Sequence, residues 1–324
     1  MVKPEKKVSA RRSKICCVGE PMIELSGLNE KMGLPFTNVA GDTLNTAVYL
    51  KRILGNYADI FYLTVLGKDP LSMRIQDFIN EESINTGFIR FDAEKNCGIY
   101  LIQNDQDGER TFHYWRENSA ARTLFQSEDD FECLESADII YLSGITLAIL
   151  SQKPRDKLIK WLGGKGQKKT ILFDINFRKT LWRNLDDARK SIKMVMKAAR
   201  LCFPSTEDLS AIFGTFEGLE FLKEYCKNPN EFCVVKKGGN LAPEIISITG
   251  ESIHFTNFKK LDKVLDSTGA GDSFNAGFIG AYLMGKSLSN SLYFGSNLAL
   301  KVLKNRGAIC PTAETKEIAL IPDI

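Results

Sequence analysis

Short apolar runs alternate along the chain with longer segments whose apolar residues recur at helical spacing. Residues 15–19, 59–66, 137–142, 169–174, 201–203 and 232–236 are apolar runs of strand length. Between them, residues 41–54 place Leu44, Ala47, Val48, Leu50 and Ile53 near a 3.6-residue period, which predicts a helix. Residues 69–82 predict another, with Pro70 suited to its first turn. Residues 185–199, 272–284 and 289–304 predict three more. Strands that are apolar throughout, rather than alternating, are covered on both faces. The β-then-α rhythm therefore implies an α/β fold with a mostly parallel sheet between layers of helices.

One segment departs from that rhythm. Residues 97–103 and 109–115 read as strands, and Asn104-Asp105-Gln106-Asp107-Gly108 between them is a turn signal. A hairpin inside such a chain either extends the sheet edge or forms a flap over a site. No internal repeat or long linker appears, so one main domain with a small inserted β element is expected. The 324 residues suffice for a sizeable core, and 44% apolar with 26% charged residues suits a soluble enzyme.

A net charge of +3 gives no electrostatic case for nucleic acid or an anionic membrane as partner. Much of the excess sits in Lys3, Lys6, Lys7, Arg11, Arg12 and Lys14, and residues 1–14 read as a solvated, disordered basic leader. No signal peptide or run of membrane-spanning length is visible. The eight cysteines lack metal-ligand spacing, and only His113 and His254 offer imidazole. Reduced, buried thiols in a cytoplasmic protein are the expectation.

The run Asp266-Ser267-Thr268-Gly269-Ala270-Gly271-Asp272-Ser273-Phe274 carries the chemistry. It is a glycine-rich turn entering a helix, whose first-turn N–H groups lack intrahelical partners and carry the positive end of the dipole. Gly269, Ala270 and Gly271 let a phosphate approach the backbone, and Asp272 adds a carboxylate in the first turn. Phosphoryl transfer needs donors around the moving charge and an acceptor for the attacking hydroxyl's proton. The helix terminus argues for a carboxylate pKa that is ordinary or lowered. A helix start with Gly for the turn and Asp for the dipole is the alternative for these residues. No Walker A loop and no dinucleotide fingerprint occurs.

From about residue 15 onward the chain resembles the ribokinase-like (PfkB) sugar kinases, most clearly in the Gly269–Asp272 signature. Val18-Gly19-Glu20-Pro21-Met22-Ile23-Glu24-Leu25, Ala40-Gly41-Asp42-Thr43-Leu44-Asn45, Gly108–Arg116 and Asp174-Ile175-Asn176-Phe177-Arg178 with Leu181-Trp182 are similar to the 2-keto-3-deoxygluconate kinases in particular. The resemblance implies a three-layer ribokinase-like sandwich over residues 15–324, with a β-sheet lid that includes the hairpin 97–116. It implies ATP and Mg²⁺, often a homo-oligomer, and phosphorylation of the terminal hydroxyl of a sugar acid, and it leaves open a monovalent cation.

Carried over by residue, Gly41, Asp42 and Asn45 would hold sugar hydroxyls. Tyr100, Tyr114 and Arg116 would reach the substrate from the hairpin, and Asn176 and Arg178 from the end of a strand. Ser205, Asp208, Lys236, Gly238, Gly269, Gly271 and Asn297 would serve ATP. Each has a plainer reading. Asp42 could cap a helix, Tyr100 and Tyr114 could pack across strands, and Arg116 could be a surface charge. Arg178 could join a salt bridge, and Lys236 could be solvated. Ser205-Thr206-Glu207-Asp208 stands where many relatives have Asn-x-x-Glu, a pair that helps order Mg²⁺. Tyr114-Trp115-Arg116 favours an acidic substrate, because a guanidinium matches a carboxylate with two parallel hydrogen bonds. The alternatives are a neutral-sugar kinase, such as a fructokinase or ribokinase, an adenosine kinase, and a sugar-binding regulator without catalysis.

Overall fold

A computed structural model describes residues 12–27, 36–104, 110–214, 222, 232–238, 241–247, 252–254, 261 and 264–312. Most of the expected leader, residues 1–11, and residues 105–109 of the hairpin turn lie outside them. In chain order the strands are β1 (Ser13–Val18), β2 (Met22–Ser26), β3 (Phe36–Ala40), β4 (Ala58–Leu66), β5 (Ile89–Phe91), β6 (Gly98–Asn104) and β7 (Arg110–Trp115). They continue with β8 (Ile139–Ser143), β9 (Thr170–Asp174), β10 (Leu201–Phe203), β11 (Phe232–Val235), β12 (Glu244–Ser247) and β13 (Ser252–His254). The helices are α1 (Asp42–Leu54), α2 (Pro70–Glu81), α3 (Asp129–Ser136), α4 (Gly144–Ile149) and α5 (Gln152–Gly163). After them come α6 (Leu185–Ala198), α7 (Thr206–Phe213), α8 (Ala270–Leu283) and α9 (Leu288–Val302).

The large sheet runs β13-β12-β11-β10-β9-β8-β1-β4-β5, parallel from β11 to β5 and antiparallel at β12 and β13. Its strands send alternate residues to two cores, as the pleat requires. Cys16 and Val18 of β1 join Ile140, Leu142, Ile171 and Phe173 under α3–α7. Ile15 and Cys17 join Tyr62, Tyr141, Leu172 and Phe203 under α1, α8 and α9. Both faces are apolar, which is why the strands read as continuous hydrophobic runs.

The expected hairpin exists as β6 and β7, and it does not extend the large sheet. It pairs with β2, and β2 with β3, into a four-stranded sheet ordered β3-β2-β6-β7. Residues 13 and 14, expected in the leader, belong instead to the large sheet. β1 begins at Ser13, and the Lys14 amide donates to Asp138 Oδ2 at 2.9 Å. The seven cysteines among the described residues are all buried.

Candidate active site

Two helix N-termini open side by side at the C-terminal edge of the large sheet, where parallel α/β sheets bind ligands. They border a cleft of about 1270 Å³ whose far side is the small sheet. Gly41 caps α1, and a Cβ there would lie 2.5 Å from the Glu20 carbonyl oxygen, so the turn admits only glycine. Gly269 caps α8 in the left-handed region (φ 74°), against the backbone of Ala308. Asp266, which is buried, accepts hydrogen bonds from the Thr268 and Gly307 amides, both at 2.8 Å, and ties this turn to the segment after α9. Ala270, Gly271 and Asp272 then form the first turn of α8 at the wall of the cleft. The first bond of the α-helical ladder runs from Ser273 N to Gly269 O. The N–H groups of Gly271 and Asp272 therefore precede it and have no intrahelical partner.

Asp272 is half-buried at the floor of the cleft, and Asn45 Nδ2 donates to its Oδ2 at 2.8 Å. Burial pushes its pKa up to about 8, and the nearby carboxylate of Asp42 adds to the rise. The Asn45 hydrogen bond and the Lys236 ammonium oppose it without winning. This corrects the expectation of an ordinary or lowered value: desolvation, with Asp42 and Asp174 nearby, raises it. Asn45, expected on a sugar hydroxyl, is nearly fully buried, and its amide joins Asp272 to the Gly41 N–H. Asp42 lines the cleft and accepts from Asn176 Nδ2 at 3.1 Å; the α1 cap is Gly41, not Asp42.

From the small sheet, Tyr100 and Tyr114 are direct cross-strand partners with ring centroids 5.8 Å apart, and both line the cleft. Packing and lining are here the same position. Tyr100 is buried and donates its hydroxyl to Glu24, which leaves Tyr114 as the exposed phenol. Trp115 faces away; the alternation of β7 puts Phe112 on the cleft side instead.

Arg116 is not a surface charge. It is 5% exposed and lines the cleft, and its Nε donates to Glu20 Oε2 at 2.9 Å, with Nη2 on the same oxygen. Glu20 is fully enclosed, and its Oε1 has no hydrogen-bond partner among the described residues. Arg178 differs: it is exposed on the rim, donates to the Phe177 carbonyl at 3.2 Å, and has no carboxylate partner among the described residues. Asn176, beside it, holds a positive φ of 31° at the turn out of β9.

At the other end of the cleft, Ser205 and Asp208 form a capping box at the start of α7. Asp208 is buried and accepts from the Phe177 amide at 2.8 Å and the Ser205 amide at 3.2 Å. Both its oxygens are thus committed to backbone amides, and Glu207 is the neighbouring carboxylate that is exposed toward the cleft. Lys236 is not solvated: it is mostly buried and pairs with Asp174 at 3.0 Å, while Gly238 lies on the rim. Asn297, expected near the adenine, is not among the lining residues; Ser296, Ala299, Leu300 and Leu303 are. Those four share one face of α9 and its extension, and Asn297 is turned about 100° from Ser296 on that helix. The sequence reading missed this stripe, although its i, i+3, i+4, i+7 spacing was there to find. It also missed Glu20, Glu24, Asp174 and Glu207.

Donors for a phosphate and an acceptor for a hydroxyl proton meet at one point of an α/β sandwich, which defines a phosphotransferase acting on an alcohol. The chain belongs to the pfkB family of carbohydrate kinases, whose model matches residues 12–316. It is 36% identical over 304 residues to the 2-dehydro-3-deoxygluconokinase of Haemophilus influenzae, covering 91% of this chain and 95% of that one. A solved 2-dehydro-3-deoxygluconokinase from Thermotoga maritima has the same fold, with a TM-score of 0.77 at 20% identity over 95% of this chain and 99% of that one. So does a sugar kinase from Pyrococcus horikoshii in complex with ATP, with a TM-score of 0.76 at 21% identity over 94% and 99%. No helix among the described residues is long and apolar enough to cross a membrane.

Proposed function

We propose that the chain transfers the γ-phosphoryl group of ATP to the terminal hydroxyl of 2-keto-3-deoxygluconate (2-dehydro-3-deoxygluconate), giving the 6-phosphate and ADP. The observation that carries this reading is the Asn45-held carboxylate of Asp272 beside the unpaired N–H groups of α8. Asp272 accepts the proton of the attacking hydroxyl, and Asn45 fixes the oxygen that faces away. The N–H groups of Gly271 and Asp272 meet the charge on the transferring group, with Gly269 and Ala270 leaving the approach clear. The apolar face of α9 takes the base, and Lys236 and Gly238 stand on the phosphate side. Ser205 and Asp208 shape that side through the α7 cap.

Gly41, Asp42, Asn176 and Tyr114 offer polar groups to the sugar. Arg178, with Arg116 deeper in, offers charge to its carboxylate. Mg²⁺ would travel on the nucleotide's phosphates and neutralise their charge. The described residues contain no group of three or more candidate ligands, so water and phosphate oxygens would complete its shell, with Glu207 in reach of that water. A monovalent cation and a homo-oligomer rest on the family resemblance, and a cytoplasmic location on the cysteine usage.

A neutral-sugar kinase is the second reading, and one observation favours it: the charge of Arg116 is already matched by Glu20. An ADP-release assay over 2-keto-3-deoxygluconate, gluconate, fructose, ribose and adenosine separates the two. The proposal expects the highest kcat/KM with 2-keto-3-deoxygluconate. A higher value with fructose or ribose would reject the acid.

A further inference from the structure

Asp174 is the last residue of β9, at the end of the run Thr170–Asp174. It is 1% exposed and faces the same core as Leu172 and Phe203, beneath α8. A carboxylate there is costly to bury, and an apolar side chain would pack strand against helix at less cost. Its two oxygens have distinct partners. Oδ2 accepts from Asn275 Nδ2 at 2.8 Å, and Oδ1 accepts from Lys236 Nζ at 3.0 Å. Asn275 lies in α8, one turn beyond Gly271, and its amide also reaches the Tyr141 hydroxyl at 3.0 Å.

Lys236 comes from the other direction. It follows β11, and its backbone is locked by Lys236 N to Pro204 O at 2.8 Å and Thr206 N to Lys236 O at 2.9 Å. Its side chain crosses the end of β10 to reach Asp174. There the ammonium stands beside the first turn of α8: a Cβ built on Gly271 would lie 3.6 Å from Nζ. A long, flexible side chain is thereby held beside the first turn of α8, within reach of a phosphate bound on the Gly271 N–H.

We propose that Asp174 is a positioning residue that aims the Lys236 ammonium at the transferring phosphoryl group and registers it to α8 through Asn275. This rests on the reading of the site as a phosphotransferase. The ammonium then meets the phosphoryl oxygens without first ordering four side-chain torsions, and the Asp174 bond uses one of its three N–H groups at the cleft wall.

The test is a double-mutant cycle of Asp174→Asn and Lys236→Met on the full chain, read as kcat, KM for ATP and KM for the sugar. Asp174→Asn alone should lower kcat about tenfold or more with the sugar KM unchanged. In the Lys236→Met background it should change kcat less than about twofold, because the group it aims is gone. A Lys236→Arg chain that keeps Asp174 should retain part of the rate. Asn275→Ala, which frees the other carboxylate oxygen without removing charge, should repeat the pattern at smaller size and serves if Asp174→Asn does not fold. Equal losses in both backgrounds would overturn the inference, since a strand-to-helix packing role does not depend on Lys236. A wild-type chain that releases no ADP with any sugar would instead reject the phosphotransferase reading.

Discussion

Removing Arg116 should act on two quantities at once, and the structure separates them. Its guanidinium is 5% exposed and lies against a fully enclosed Glu20 that has no other hydrogen-bond partner among the described residues. Gly98 packs so closely over Glu20 Oε1 that a Cβ there would come within 2.7 Å. Arg116→Ala therefore strands a buried carboxylate. Breaking a buried pair from one side costs about 3–5 kcal/mol, while replacing both partners by uncharged groups of similar volume is close to neutral. Arg116→Ala should accordingly lower the unfolding free energy in urea by about 3–5 kcal/mol, and Glu20→Gln with Arg116→Met should recover most of that. Kinetics should not follow. If Arg116 also meets the substrate carboxylate, the double variant keeps a raised KM for the acid, by about 2–4 kcal/mol in kcat/KM, with a smaller loss for a neutral sugar. An Arg116→Ala chain within about 1 kcal/mol of wild type in urea would refute the buried-pair argument. A double variant with wild-type discrimination between acidic and neutral sugars would refute the contact with substrate.

Asp272→Asn should leave ATP binding by calorimetry nearly intact and lower kcat by about 10²-fold or more; unchanged turnover would remove its role. With the Asp272 pKa near 8, kcat/KM should rise with pH up to about 8 and level off above it, because the base must be ionised in the free enzyme. The raised value also favours the folded state at low pH, and that contribution is lost as pH rises through 8. In urea, Asp272→Asn should therefore gain stability over wild type at pH 8.5 and lose the gain toward pH 4. Gly269→Ala, at φ 74° and against Ala308, should destabilise by about 1–3 kcal/mol and raise the KM for ATP, read by urea unfolding and initial rates. Turnover should stop in EDTA and return with added Mg²⁺, as an ADP-release assay will show.

Much of this site is written in local pattern. The Gly269–Asp272 run announces a helix start whatever surrounds it, and the apolar runs of β1, β8 and β9 announce a sheet covered on both faces. β2 and β3 were not legible, because they are short and β2 carries the buried Glu24, which reads as a surface charge until Tyr100 and Asn38 are placed beside it. The partners of the candidate residues were equally hidden. Asn45 with Asp272, Arg116 with Glu20 and Lys236 with Asp174 join residues 227, 96 and 62 positions apart. The raised pKa of Asp272 belongs to the same class, since desolvation depends on what the whole fold places over a carboxylate.

The central claim is that ATP phosphorylates a sugar acid at its terminal hydroxyl through Asp272. It is tested most directly by ¹H–³¹P correlation NMR on the product formed from ATP and 2-keto-3-deoxygluconate, with wild-type and Asp272→Asn chains side by side. The account predicts a new phosphate monoester coupled to the C6 methylene protons, accumulating one for one with ADP in the wild type and slowed about 10²-fold or more in the variant. A phosphate on another carbon, ADP without a sugar phosphate, or equal rates in the two chains would contradict it.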